Sequence, residues 1–274
     1  MRRMLGLLLL LWSTVSFAQL YFVRDNSGQI YTINTTTGAA TSVATVAAIT
    51  SSTIGATESP NPNVLFASTY TDLVSFNVDG TGATSLGPIS GAGIAQTGAE
   101  ALGFCNTANV LYGLINGNFF TINPATGARI VALAAPGDDV EGLACNHAAN
   151  VLYGIGRTTG TLYSYAPATN TWTTVGSTGL SPTDPGLAYD PVTAVLYTID
   201  GGTGNIYRIN PATAASTLVG PTGLGGVGGG LAFTSAAAPA ANVPVPTLGE
   251  YALVLLTLLV AGVAFGQFSA RSWR

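Results

Sequence analysis

GLAYDPVTAVLYTIDGGTGNIYRINPATAASTLVG, Gly186 to Gly220, is the stretch that decides the fold. It divides into four short runs: Gly186 to Tyr189, Val195 to Ile199, Asn205 to Asn210 and Ser216 to Val219. Turn residues separate them: Asp190-Pro191, then Gly201-Gly202-Thr203-Gly204, then Asn210-Pro211-Ala212-Thr213. Asn or Asp before Pro starts a turn, and glycine supplies the positive φ that a tight hairpin needs. The third turn returns as Asn123-Pro124-Ala125-Thr126-Gly127 and Asn34-Thr35-Thr36-Thr37-Gly38. An aliphatic–aromatic pair marks each copy: Leu20-Tyr21, Leu65-Phe66, Leu111-Tyr112, Leu152-Tyr153 and Leu196-Tyr197, spaced by 45, 46, 41 and 44 residues. Four strands repeated at that period describe a β-propeller blade, and no helical periodicity competes within residues 20 to 234. The expected fold is therefore all-β, a five-bladed β-propeller over residues 19–234. The first copy lacks its opening strand, whereas Gly230-Leu231-Ala232-Phe233 is an opening strand with no unit after it. The ring is expected to close by letting the last strand complete the first blade, which removes an exposed edge.

The repeat unit resembles the degenerate blades of NHL-like and quinoprotein-like bacterial propellers. It has no WD dipeptide, no kelch glycine pair and no Ser-x-Asp-x-Gly-x-x-Trp box. That resemblance implies a fold and no particular chemistry.

Both ends of the chain differ from the repeat. Arg2 and Arg3, the apolar Met4 to Trp12 and the small-x-small Ser16-Phe17-Ala18 read as a signal peptide over residues 1–18. Residues 235–245, SAAAPAANVPV, form an Ala/Pro-rich linker expected to be extended. Residues 251–268 carry no charge, long enough for a transmembrane helix, and Arg271 and Arg274 place its end in the cytoplasm. The segment 246–274, with Pro246, Thr247, Leu248, Glu250 and Tyr251 at its head, resembles the IPTL-CTERM sorting signal of Gram-negative bacteria. The resemblance implies an exosortase-type processing enzyme as partner and an inner-membrane-anchored precursor later transferred to the cell envelope, surface or exterior. Val245, Tyr251 and Ala252 replace the usual Ile, Trp and Gly of that motif.

Composition narrows the function. Only 7% of the 274 residues are charged, with 12 acids, eight arginines and no lysine. That excludes a lysine-based active site and a basic nucleic-acid surface. His147 is the single histidine and falls in the turn Asn146-His147-Ala148, where it reads as an exposed turn residue. Cys105 and Cys145 sit in consecutive repeats, one position out of register. Export favours a disulfide between them. The register speaks against it, since adjacent strand positions point to opposite faces, and the alternative stays open.

The acids are the strongest lead. Residues 20 to 234 hold 11 of them against four arginines. Glu100 and Glu141 align before their opening strands, and Asp138, Asp139 and Asp184 occupy equivalent loops, so all five are expected at one mouth of the channel. Such a ring can hold Ca²⁺, which takes six to eight oxygen ligands; the alternative is solvated loop charge, with no cofactor. Trp172, Tyr163 and Tyr165 share one blade and read as packing between blades rather than as a glycan platform. The expected function is an exported, non-enzymatic surface or matrix protein with a binding or structural role and a glycan or envelope partner. The alternative is a propeller lyase or hydrolase working at the acidic mouth.

Overall fold

In the computed structural model of the protein, residues 18–49, 53–105, 109–226 and 228–234 are described. The remainder of the signal peptide, the linker and the 246–274 segment with its 251–268 helix lie outside the described residues. Among the described residues no helix is long and apolar enough to cross a membrane.

The described residues form five antiparallel sheets of four strands. Blade one contains β1 (Gln19–Arg24), β2 (Gln29–Ile33) and β3 (Ala40–Thr45). Blade two is β4 (Thr53–Glu58), β5 (Val64–Thr69), β6 (Asp72–Asn77) and β7 (Thr84–Pro88). Blade three is β8 (Ala101–Cys105), β9 (Val110–Ile115), β10 (Asn118–Ile122) and β11 (Arg129–Leu133). Blade four is β12 (Val140–Asn146), β13 (Val151–Gly156), β14 (Thr161–Ala166) and β15 (Thr171–Ser177). Blade five is β16 (Leu187–Asp190), β17 (Val195–Asp200), β18 (Asn205–Ile209) and β19 (Ser216–Pro221). The last strand, β20 (Gly229–Thr234), is the inner strand of blade one. It pairs with β1 from Gln19↔Thr234 to Arg24↔Gly229, so the ring closes as expected.

The turns follow their side chains. Asn34, Asn123 and Asn210 each accept the backbone N–H two residues on, from Thr36, Ala125 and Ala212 at 2.8–2.9 Å. The chain then returns through a left-handed residue: Gly38, Gly127 or Ala214. An Asx turn of this kind lets one side chain direct the hairpin.

The core is a set of seams between sheets. In every copy of the aliphatic–aromatic pair the two residues serve different seams. Leu20 joins Tyr197 and Ile206 of blade five, while Tyr21 joins Leu65 and Phe76 of blade two. Leu65 again faces back to blade one, and Phe66 faces forward to Phe104 and Leu111 of blade three. Leu152 and Leu196 continue the pattern toward blades three and four. Successive strand residues point to opposite faces, so a two-residue motif supplies one side chain to each neighbour.

Near one mouth the inner strands approach backbone to backbone. The positions opposite Val23, Ser68, Leu114 and Ile155 are Gly230, Gly55, Ala101 and Gly142. In blade five Gly186 accepts from the equivalent Ile199 N–H. A Cβ at Gly55 would stand 2.8 Å from the backbone nitrogen of Leu102 in the next blade, and one at Gly230 would run into that of Ala56. A ring of only five inner strands is narrow, and small residues at this level are what lets it form.

Cys105 and Cys145 are joined in a disulfide, with Cα atoms 5.4 Å apart. The parity argument against this pair applies within one sheet and reverses between stacked sheets. A side chain on the forward face of blade three meets one on the backward face of blade four. Alternating positions provide these two faces, so the offset of one residue is what brings the two sulfurs together. Both lie in the seam with Tyr112, Leu143 and Leu152.

Candidate functional site

The inner strands start at one mouth and the hairpins between second and third strands end there. Glu100 immediately precedes β8, Asp139 precedes β12, and Asp184 lies shortly before β16. Asp25, Asn116 and Arg157 occupy equivalent positions just after β1, β9 and β13. Glu141 owes its direction to a bulge: Val140 pairs with Gly156 and Gly142 with Ile155, leaving Glu141 as the extra residue. A bulge of this kind re-aims one side chain and locally ends the regular ladder.

The geometry gathers charge. One carboxylate oxygen from each of Glu100, Asp139 and Glu141 lies within 4.8 Å of the others. Glu141 is 5% exposed, and its Oε1 accepts from Arg157 Nη1 at 2.7 Å. Arg157 Nη2 is 3.4 Å from Asp184 Oδ1. Glu100 Oε2 accepts the Asn116 backbone N–H at 2.8 Å. Two oxygens, Glu141 Oε2 and Asp25 Oδ1, are buried with no hydrogen-bond partner among the described residues. Gly228 leaves the room for this crowding, since a Cβ there would meet Asp184 Cβ at 2.5 Å and Asp25 Oδ2 at 3.3 Å.

Desolvation and like charge shape the acidities. Burial pushes the Glu141 carboxyl up to about 7 against the pull of Arg157, with Asp184, Asp139 and Glu100 adding to the rise. Burial, then Asp184 and Glu141, pushes Asp25 up to about 8. Glu100 is raised as well, first by burial. Arg157 thus stands among Glu141, Asp184, Asp139 and Glu100, with Asp25 coupled to Asp184 and Glu141.

The sequence-based set changes in two places. Asp138 does not join the cluster: its Oδ2 accepts from Thr159 Oγ1 at 2.7 Å and Tyr163 Oη at 2.9 Å, which turns it toward blade four's third strand. Asp25 joins it, although sequence reasoning passed over it. The signal was available, because Asp25 follows Leu20-Tyr21 at the distance at which Arg157 follows Leu152-Tyr153. A shallow groove of about 520 Å³ beside the cluster is lined by Asn116, Gly117, Ala135, Gly137, Asp138 and Asp139.

The opposite mouth, where the inner strands end, is chemically different. His147 Nε2 lies 3.1 Å from Glu58 Oε1 and the side chain is 33% exposed, so it is a paired residue rather than an exposed turn histidine. Phe104, Pro60, Pro191 and Phe233 line a recess of about 200 Å³ beside it. The aromatic residues of blade four pack inward. Tyr165 meets Phe119 edge-on at 4.8 Å, Trp172 meets Phe119 at 5.0 Å, and Trp172 Nε1 donates to the Ala134 carbonyl at 2.9 Å.

Comparison with known proteins bears on the two parts separately. The chain carries an IPTL-CTERM motif at residues 243–272. No curated protein matches. Solved structures match in number, 858 chains, as a widely used scaffold does, which is why the likeness carries fold and no activity. One is a chain in the crystal structure of a nidogen/laminin complex, a propeller of NHL/YWTD type. It shares 14% identity and a TM-score of 0.54, over 75% of this chain and 79% of that one.

Proposed function

We propose that this protein is an exported, non-enzymatic propeller that works at the cell envelope as a binding or matrix component, delivered there by its C-terminal signal. The observation that carries the reading is the IPTL-CTERM motif at 243–272, following a ring whose last strand ends at Thr234. The motif implies processing by an exosortase-type enzyme. The chemistry of the two mouths supports a non-catalytic role. The chain has no lysine, and its one histidine sits at the mouth opposite the carboxylates, paired with Glu58.

Mass spectrometry of the native envelope fraction tests this. The mature form is expected to end near Pro246-Thr247-Leu248, and an intact Trp273-Arg274 terminus on the envelope-associated protein overturns sorting in favour of a plain anchor. Replacing Pro246 and Thr247 by Ala is expected to trap the precursor in the inner membrane.

A further inference from the structure

We propose that Glu100, Asp139 and Glu141 form a binding site for one divalent cation of the calcium class at the mouth where the inner strands begin. This stands independently of the export reading.

The argument starts from an orphaned atom rather than from the acidity. Glu141 is 5% exposed, and Oε2 has no hydrogen-bond partner among the described residues while Oε1 is held by Arg157. A buried carboxylate oxygen left without a donor is costly, because the low-dielectric surroundings do not replace the water it lost. The bulge that makes Glu141 the extra residue of β12 keeps its carboxylate there. Arg157 cannot answer for the whole cluster: its guanidinium is already shared between Glu141 and Asp184.

The spacing fits a shared ion. Three oxygens within 4.8 Å of one another match donors around a cation whose ligand distances are about 2.3–2.6 Å, since two donors on opposite sides of it stand roughly 4.6–5.2 Å apart. All the donors are carboxylate oxygens, the preference of a hard cation and not of zinc or copper. Asp139 is exposed, so water can complete the shell on that side. Calcium tolerates an irregular, partly hydrated set of this kind, whereas magnesium demands a near-ideal octahedron at about 2.0–2.1 Å. Asp25 and Asp184 flank the site and contribute field rather than ligands.

Equilibrium dialysis of the chelator-stripped full chain in mild detergent against radiolabelled calcium tests the site. The expected result is one equivalent bound, with Kd on the order of 10⁻⁴–10⁻³ M, as in extracellular modules. Asp139→Asn lies at an exposed position where misfolding is not expected, and it should weaken binding at least tenfold. Glu141→Gln should do the same. Asp138→Asn, whose carboxylate is turned to Thr159 and Tyr163, should leave affinity within twofold of the parent. Absence of saturable binding up to about 10 mM calcium overturns the site. Magnesium competing as well as calcium, or Asp138→Asn weakening binding as much as Asp139→Asn, overturns it equally.

Discussion

Cutting the Cys105–Cys145 bond without touching another atom is the sharpest perturbation the structure offers. The bridge closes a loop of 40 residues, and on the chain-entropy account a loop of that length removes on the order of 4 kcal/mol of disorder from the unfolded state. For a domain of this size each kcal/mol moves the melting temperature by roughly 2–4 °C, so reduction should lower it by about 8–16 °C. Reduction is a cleaner test than mutation, because both sulfurs stay in the seam beside Tyr112, Leu143 and Leu152. The assay is a thermal melt of the full chain in detergent, with and without a thiol reductant, together with a count of free thiols in the protein isolated from the envelope. The Cys105→Ala/Cys145→Ala variant should fall at least as far, since it also removes buried volume. Two free thiols in the isolated protein, or a shift under about 2 °C on reduction, refutes the reasoning.

Deleting residues 230–234 should leave β1 with an unpaired inner edge and expose Leu20 and Phe22; the truncated chain should aggregate, and an unchanged melting temperature would overturn the closed ring. Asp25 is neutral-favouring in the fold, its carboxyl raised from 3.8 to about 8. Ionising it therefore costs stability, so the stability of the chelator-treated protein should fall as pH rises from about 4 to about 8, and Asp25→Asn should flatten that fall. Arg157→Gln takes away the partner of a buried carboxylate, and a loss of about 1–3 kcal/mol is expected because Arg157 is itself partly exposed. Since the Glu141 carboxyl is raised, to about 7 even beside Arg157, the difference between variant and parent in chelator should be widest above pH 7 and close as the carboxyl protonates on acidification; a pH-independent difference would remove the ionic explanation.

How much of this was legible in the chain follows from which physical rule each feature obeys. The fold was legible because the Leu–aromatic pair recurs and because Gly230 to Phe233 is a strand without a unit, both local patterns. The mouth was legible in outline: Glu100, Glu141, Asp139 and Asp184 are all at the end where alignment of the repeats puts them. Its membership was not, because a carboxylate one bond-rotation away can turn elsewhere. Asp138 finds the hydroxyls of Thr159, in the turn after β13, and of Tyr163, in β14, partners that no spacing announces. Asp25 was legible only through its distance from Leu20-Tyr21, because its blade takes its inner strand from the far end of the chain. The cysteine pair stays open in the sequence for a different reason: strand parity separates two such residues within one sheet, whereas facing sheets present opposite parities to each other and let the bond form. His147 was misjudged because Glu58 lies two blades away in the ring and far away in sequence.

The closing strand has a mechanical meaning as well. Gln19 and Thr234 sit opposite each other at the start of β1 and the end of β20, so the chain enters and leaves the ring at the same mouth, the one opposite Glu100, Asp139 and Glu141. Tension applied at Thr234 along its strand would pull on all six register pairs from Gln19↔Thr234 to Arg24↔Gly229 together, in shear. A hairpin pulled open from its free end yields one pair at a time; a strand drawn lengthwise must break its bonds at once. The strand that holds the ring shut is also the one from which the domain would hang, and it meets that load in its stiffest direction.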